Sequence, residues 1–340
     1  MRQLCPCPAA SRCYHGAPLF CPMYLMRIYM APMEGVVDHH LRRLYSEIGG
    51  IDLCVTEFVR VTHTRLPEKV FHRYCPELTA PLPVPVRIQL LGSDPAMLAL
   101  NALRAARLGA SGIDLNFGCP AKTVNKNRGG ACLLNEPELL FEIAKQVREA
   151  VPAATPVTAK IRLGYENRSR YVENALALAE GGIAELVVHG RSKADGYRPP
   201  AYWDCIGHIR ERLAIPVIAN GDIWSPEDYR RCREESGCTH VMLGRGLLSR
   251  PDLALAIRAE LNNTEFTPFS WPQLIDLLLG FHRQTTHSYP LQFCGNRLKQ
   301  WLMYLQRQYS QAGQLFEAIK KSRDPQVIES AVIAARDLAA

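Results

Sequence analysis

From residue 27 onward, short apolar runs alternate with stretches of helical period. The apolar runs fall at 28–31, 51–56, 86–91, 112–115, 156–162, 184–188, 216–219 and 239–243. All are of strand length, and most are continuous rather than alternating. Continuous apolar strands are buried on both faces, which is how strands of a parallel sheet read. Helical patterns lie between them at 37–48, 94–108, 137–150, 171–180 and 203–213, and another opens at Ser225-Pro226. Asp94-Pro95 supplies an N-cap with proline at the first helical position. Asn135-Glu136-Pro137-Glu138 resembles a capping box with proline inside it. Eight such alternations predict an α/β fold, a (β/α)8 TIM barrel rather than an open sheet. The second unit departs from the pattern. Residues 57–85 carry Arg60, Arg65, Lys69 and Arg73 without one clean helix, and read as an elaborated loop.

After Pro251 the strands stop. Helical patterns at 252–261, 271–288, 291–309, 314–321 and 325–338 predict a C-terminal all-helical domain. The domain reading is therefore a barrel over 26–250 and a helical unit over 251–340. Residues 1–25 resemble neither. They hold Cys5, Cys7, Cys13 and Cys21 among prolines, and no apolar stretch of a secretory signal follows Arg2. The expectation is a disordered extension, or a true start at Met23 or Met26. The cysteine spacing fits no common zinc finger, so no metal is expected.

Composition narrows the classes. Hydrophobic residues make up 47% of 340, ample for a core, yet no run is long enough to span a membrane. The net charge of +7 suggests a polyanionic partner. Twelve cysteines at irregular spacings in a βα pattern read as reduced, which predicts a cytoplasmic protein.

In barrels of this kind, chemistry gathers at the C-terminal strand ends. Here those ends carry Met33, Glu57, Gln89, Asn116, Lys160, His189, Asn220 and Arg245. Core packing alone would not put a polar or charged group at nearly every one. Cys119 follows Asn116 on a turn at Gly118, with Pro120 stiffening the exit and a glycine-bearing loop over 124–130. A thiol at a strand mouth suits chemistry, although a small buried hydrophobe is the alternative. Asn220-Gly221-Asp222 and Gly244-Arg245-Gly246 are short glycine turns after the last two strands. That is the usual phosphate cradle of a barrel, and Arg245 can add a charge-assisted bond. With Lys160 and Gln89 they suggest a phosphorylated cofactor whose ring lies across the mouth. Flavin mononucleotide fits: Lys160 would face charge on the ring, and Gln89 offers a donor and an acceptor to its edge. Alone, Lys160 could instead be a Schiff-base lysine and His189 a satisfied core histidine. No GxGxxG appears, so a Rossmann nucleotide site is unsupported.

Five motifs in this order resemble the tRNA-dihydrouridine synthases: Ala31-Pro32-Met33-Glu34-Gly35, residues 115–120, Lys160-Ile161-Arg162-Leu163-Gly164, Val188-His189-Gly190-Arg191 and Ala219-Asn220-Gly221-Asp222. The stretches 54–60, 70–73 and 298–302 are similar to the C subfamily, which acts on uridine 16 of the D-loop. The resemblance covers the chain from Arg27 to the C-terminal helices. It implies that NADPH reduces FMN, that flavin N5 passes hydride to C6 of a uracil flipped out of the tRNA, and that Cys119 protonates C5. An ordinary thiol, titrating near ~8.5, holds that proton at neutral pH. The resemblance further implies that Pro32, Met33 and Glu34 touch the flavin, with Gln89 at its pyrimidine edge. Lys160 and His189 would lie near its ring and ribityl chain. Asn220, Gly221, Asp222, Gly244 and Arg245 would hold the phosphate, and Asn116 and Arg162 would face the uracil. Phe117 stands where close relatives often carry a small residue or cysteine, and Asp222 where glutamate is common.

The tail adds an independent signal. Between Pro290 and Arg323 the basic residues Arg297, Lys299, Arg307, Lys320, Lys321 and Arg323 face one acid, Glu317. A solvated face usually mixes signs. Arg297, Gln300, Tyr304 and Arg307 share one helical stripe, with Trp301 at its border, and suit phosphates and stacked bases. Arg60, Arg297, Lys299 and Trp301 are thus the expected tRNA contacts. Two other readings compete. An FMN barrel oxidoreductase of a free pyrimidine or other small molecule would not need the basic tail. A non-catalytic RNA-binding barrel would not need Cys119, Lys160 and both phosphate turns.

Overall fold

The computed structural model describes residues 26–338, so the four N-terminal cysteines lie outside it. In chain order the strands are β1 (Ile28–Met30), β2 (Leu53–Val55), β3 (Val59–Arg60), β4 (Val86–Leu91), β5 (Ile113–Phe117), β6 (Val157–Arg162), β7 (Glu185–His189), β8 (Val217–Asn220) and β9 (His240–Leu243). All pair in parallel, in the order β2-β1-β9-β8-β7-β6-β5-β4. A further β2–β4 pairing, Cys54 against Val86, closes the ring at eight strands. The ninth strand, β3, lies outside the ring and extends the end of β4 through Val59 against Leu90. It comes from the segment expected to be an irregular loop, which also contains α2 (Glu68–Tyr74).

The apolar runs of the strands divide between two layers. Tyr29, Leu53, Val55, Val187, Ile218 and Met242 form a small cluster of their own. Their sequence neighbours, such as Ile28, Met30, Cys54, Val188 and Val241, belong to a much larger cluster shared with the helices. Alternate residues therefore point into the barrel and out to its shell, and both sets are buried.

Seven further helices punctuate the barrel strands: α1 (His39–Ile48), α3 (Pro95–Arg107), α4 (Lys122–Lys126), α5 (Pro137–Ala150), α6 (Tyr171–Glu180), α7 (Trp203–Arg210) and α8 (Pro226–Ser236). Asp38, Asp94 and Ser225 cap α1, α3 and α8, each accepting from a backbone N–H three residues on, at 3.0, 3.0 and 3.2 Å. The box expected at Asn135 does not form: Glu136 precedes α5 and makes no side-chain cap bond. The loop expected over 124–130 begins as the short helix α4.

Six helices complete the described chain: α9 (Arg245–Ser249), α10 (Leu253–Leu261), α11 (Trp271–Ser288), α12 (Asn296–Leu305), α13 (Ser310–Ile319) and α14 (Pro325–Ala334). The pattern at 291–309 suggested one helix. It breaks at Gly295, whose φ of 75° is the left-handed region that glycine enters without strain. Trp301, expected at the border of an RNA-facing stripe, is instead in the core. It is 1% exposed, donates to the Leu248 carbonyl at 3.1 Å, and meets Tyr45 and Phe281 edge-on. The indole is too large and apolar to leave in water when a barrel shell lies beside it. The helices after Pro251 thus share one continuous apolar core with the shell. Among the described residues no helix is long and apolar enough to cross a membrane.

Candidate active site

The C-terminal strand ends open into a cleft of about 680 Å³. Pro32, Met33 and Glu34 line it from the β1 end, Gln89 from β4, and Asn116 and Cys119 from β5 and its turn. Lys160 and Arg162 enter from β6, His189 from β7, Asn220, Gly221 and Asp222 from β8, and Gly244 and Arg245 from β9. Each residue expected around a cofactor therefore lies on one concavity, as do the expected acid and both expected uracil contacts.

The floor of the cleft is a chain of buried hydrogen bonds. Asp114 accepts from Thr158 Oγ1 and from Gln89 Nε2, both at 2.7 Å. Gln89 Oε1 accepts from Asn116 Nδ2 at 2.7 Å. Asn116 Oδ1 then accepts from the backbone N–H groups of Gly118 and Cys119, at 3.0 and 2.9 Å. This Asx turn aims the thiol. Arg162 supports it from the other side: its Nε donates to Gly118 O at 2.9 Å and its Nη1 to Ser192 O and Gly196 O. So the arginine expected to face the substrate spends much of its fork on backbone. The Cys119 carbonyl accepts from Ala131 N at 3.1 Å and from Asn125 Nδ2 at 3.0 Å, closing the loop on itself.

Burial, with the nearby Glu34 carboxylate adding to it, pushes the Cys119 thiol above its ordinary value. The eight cysteines of the described residues are free. Glu34 is pushed up to about 7 by burial and by Glu57, whose carboxylate accepts from Gly35 N at 2.5 Å. Lys160 is pulled down to about 8 by burial and by Arg162, and its Nζ donates to Asn220 Oδ1 at 2.9 Å. His189 is held well below its ordinary value by burial and by Arg162, Lys160, Arg191 and Arg245. It is a neutral imidazole in a cationic corner.

That corner fits an anionic group. Gly221 has a φ of 120°, and a Cβ there would lie 2.9 Å from the His189 ring. A Cβ at Gly246 would fall 2.0 Å from the Ile223 carbonyl, so only glycine lets the two turns touch. Backbone and cations are left facing the cleft at that end. Asp222, expected among the phosphate ligands, turns its carboxylate to Arg191 and Arg245. Like charge would repel a phosphate, so this side chain braces the arginines instead. Arg191, which the sequence reading did not put in the site, is fully buried behind it.

Sequence reasoning also missed an aromatic rim. Arg162 and Arg245 sit 5.2 and 4.7 Å from the Tyr197 ring, and Arg245 and Arg307 sit 5.1 and 3.8 Å from the Trp224 ring. Nothing in the spacing of Tyr197 or Trp224 marked them. The stripe of α12 does reach the mouth: Tyr304 lines the cleft and Gln300 Nε2 donates to Gly35 O at 2.9 Å. Arg297 on that stripe is not a free cation. It donates to Gly35 O at 2.6 Å and Val36 O at 2.7 Å and pairs with Asp38 at 2.8 Å. Lys299 is half-buried and donates to Ser322 O at 2.5 Å, whereas Arg60 is exposed. None of Arg60, Arg297, Lys299 and Trp301 lines the cleft itself. Among the described residues no cluster of His, Cys, Asp and Glu could hold a metal ion.

A closed parallel barrel with a protonated thiol, a buried lysine and a cationic corner on one cleft is built like an enzyme of the TIM-barrel class. The chain belongs to the dihydrouridine synthase (Dus) family, whose model matches residues 29–326. The tRNA-dihydrouridine(16) synthase of Pseudomonas putida is 52% identical over 303 residues, covering 88% of this chain and 94% of that one. Those of Shewanella oneidensis and Neisseria meningitidis are 50% and 48% identical, over 87% and 89% of this chain and 93% and 92% of theirs. Among solved structures, a 2-naphthoyl-CoA reductase bound to 2-naphthoyl-CoA superposes with a TM-score of 0.53 at 12% identity. That match covers 70% of this chain and 50% of the other, and is a likeness of fold.

Proposed function

We propose that this protein reduces a uridine of tRNA to 5,6-dihydrouridine, at position 16 of the D-loop, using FMN and NADPH. The observation that carries the reading is the meeting of Cys119, Lys160 and the two glycine turns on one cleft, in a chain about half identical to synthases of that name. FMN, once reduced by NADPH, would supply a hydride from its N5 to C6 of the uracil.

The residues of the chain do the rest. Lys160, Arg245 and the backbone of the glycine turns bind the phosphorylated cofactor, and Pro32, Met33, Glu34 and His189 line its ring and ribityl chain. Gln89 and Asn116 present fixed amide edges. Cys119 Sγ–H gives its proton to C5 of the uracil. Its raised pKa keeps it protonated until it is needed. The uracil must leave its stack to reach this depth. Residues 26–250 form the FMN-binding catalytic unit, and the helices of 251–340 form the tRNA-binding unit. Arg60, Arg297 and Lys299 flank the RNA path, with Arg297 also bracing the β1–α1 loop. The reaction runs in the cytoplasm, with the tRNA pool.

The test is to map dihydrouridine along tRNA from cells with and without this gene. Loss confined to position 16 is expected; an unchanged map refutes the reading, and loss at another position refutes the choice of uridine. The purified protein should be yellow. Cys119→Ala should stay yellow and bind tRNA but lose most product formation, and full turnover by it would remove Cys119 as the acid.

A further inference from the structure

Asp114 is an acid in the middle of an apolar strand, 2% exposed, and it touches neither the thiol nor the Lys160 ammonium through any hydrogen bond. In both of its side-chain bonds it is the acceptor, and that sets the groups beyond it. Its two oxygens take Thr158 Oγ1–H and Gln89 Nε2–H. A flip of the Gln89 amide would break both of its bonds, setting its oxygen against an Asp114 oxygen and its NH2 against that of Asn116. With Nε2 committed, Oε1 must face Asn116, which turns Nδ2 toward it and leaves Oδ1 for the N–H groups of Gly118 and Cys119. Donor and acceptor order is thus set from Asp114 outward, through two side chains, to the turn that carries the thiol. Gln89 and Thr158 are as buried as Asp114, at 1% and 0% exposed, so water cannot substitute for a lost link.

We infer that Asp114 is a positioning residue for Cys119: through Gln89 and Asn116 it fixes the Asx turn that aims the thiol at the cleft. The inference rests on the reading of Cys119 as the proton donor. It does not need Asp114 to exchange a proton. An asparagine can play the same part, accepting from Gln89 through Oδ1 while its amide donates to Thr158 Oγ1. An alanine cannot.

The test compares Asp114→Asn with Asp114→Ala in the holoenzyme. Two readouts are taken: dihydrouridine formation on tRNA, and the rate at which iodoacetamide alkylates Cys119, followed on its own peptide by mass spectrometry. Asp114→Ala should slow product formation roughly tenfold or more, as a misaimed group does. It should also speed alkylation severalfold as the turn loosens. Asp114→Asn should stay within about twofold of wild type in both. Should Asp114→Ala fail to fold, Gln89→Met cuts the next link and should shift the two rates in the same opposed directions. Wild-type behaviour of Asp114→Ala or Gln89→Met in both readouts overturns the inference. So does Asp114→Asn as impaired as Asp114→Ala, which would make the charge the active feature. If wild type forms no dihydrouridine, the functional reading fails, and the alkylation rates still decide whether Asp114 aims the thiol.

Discussion

Lys160 holds a charge where folding alone would not place one. Burial, then Arg162, lowers its pKa from 10.5 to about 8. For a lysine whose folded pKa is depressed, the charged form is disfavoured on folding. The cost is full below about pH 8 and fades as pH rises toward the unfolded value near 10.5. Lys160→Met should therefore stabilise the apoprotein by about 1–3 kcal/mol at pH 7, with the gain shrinking above about pH 8 and nearly gone by about pH 10. Urea melts at the two pH values check this, and a destabilised variant would contradict it. The same variant should lose FMN affinity. Wild-type apoprotein should bind FMN more weakly as pH rises through about 8, when the ammonium discharges. This residue was legible in the sequence because a lysine at the end of an apolar strand has no packing reason to be there. Asp114 carries the same signal, in the middle of β5. Arg191 was hidden differently. Its part depends on Asp222 facing backward, and no spacing reports the direction of a carboxylate.

At the level of elements, periodicity located the barrel well because each strand is buried on both faces and each helix on one. It failed where tertiary packing overrides local pattern. On α12 the heptad-like stripe of Arg297, Gln300 and Tyr304 resembles a solvated RNA face, yet Gln300 and Arg297 grip the carbonyl of Gly35 and Tyr304 lines the cleft. The opposite face, with Leu298, Trp301, Leu302 and Leu305, packs in the core. Two substitutions separate the roles. Trp301→Ala should cost about 3–5 kcal/mol of stability, since a large buried side chain and its packing are removed. Arg60→Ala should leave the urea midpoint unchanged. It should weaken tRNA binding at all salt concentrations and reduce the slope of log affinity against log salt by about one. An exposed Trp301 with no stability cost, or an Arg60 variant with the wild-type salt slope, would reverse these assignments.

Across the whole molecule the two ends of the barrel divide the work. The C-terminal end gathers its polar groups around the cleft. The N-terminal end spends them on closure. There Glu185, at the start of β7, accepts from Arg87 of β4 at 2.6 Å and from the Tyr29 hydroxyl of β1 at 3.2 Å, and pairs with Arg27 at 2.7 Å. One carboxylate thus ties together strands from around the ring. The sequence held no sign of this, because the partners are 98 and 156 positions away and meet only once the barrel closes. Its two arginines hold the Glu185 carboxyl below its ordinary value, against the upward pull of burial. An acid with a depressed folded pKa contributes stability in full above its unfolded pKa, near 4.5, and loses it as pH falls through the lower folded value. Glu185→Gln should leave Arg87 buried without its counter-charge. It should cost about 3 kcal/mol at pH 7, less at its Arg27 side, where solvent screens the pair. The gap between variant and wild type should narrow as pH falls below about 4. Because the Glu185 cluster lies at the far end of the strands from Cys119, folded Glu185→Gln should keep its FMN affinity and its Cys119 alkylation rate. Urea melts across that pH range, beside those two measurements, separate closure from catalysis. A variant as stable as wild type at pH 7, or one folded but unable to bind FMN, would show that the ends are not independent.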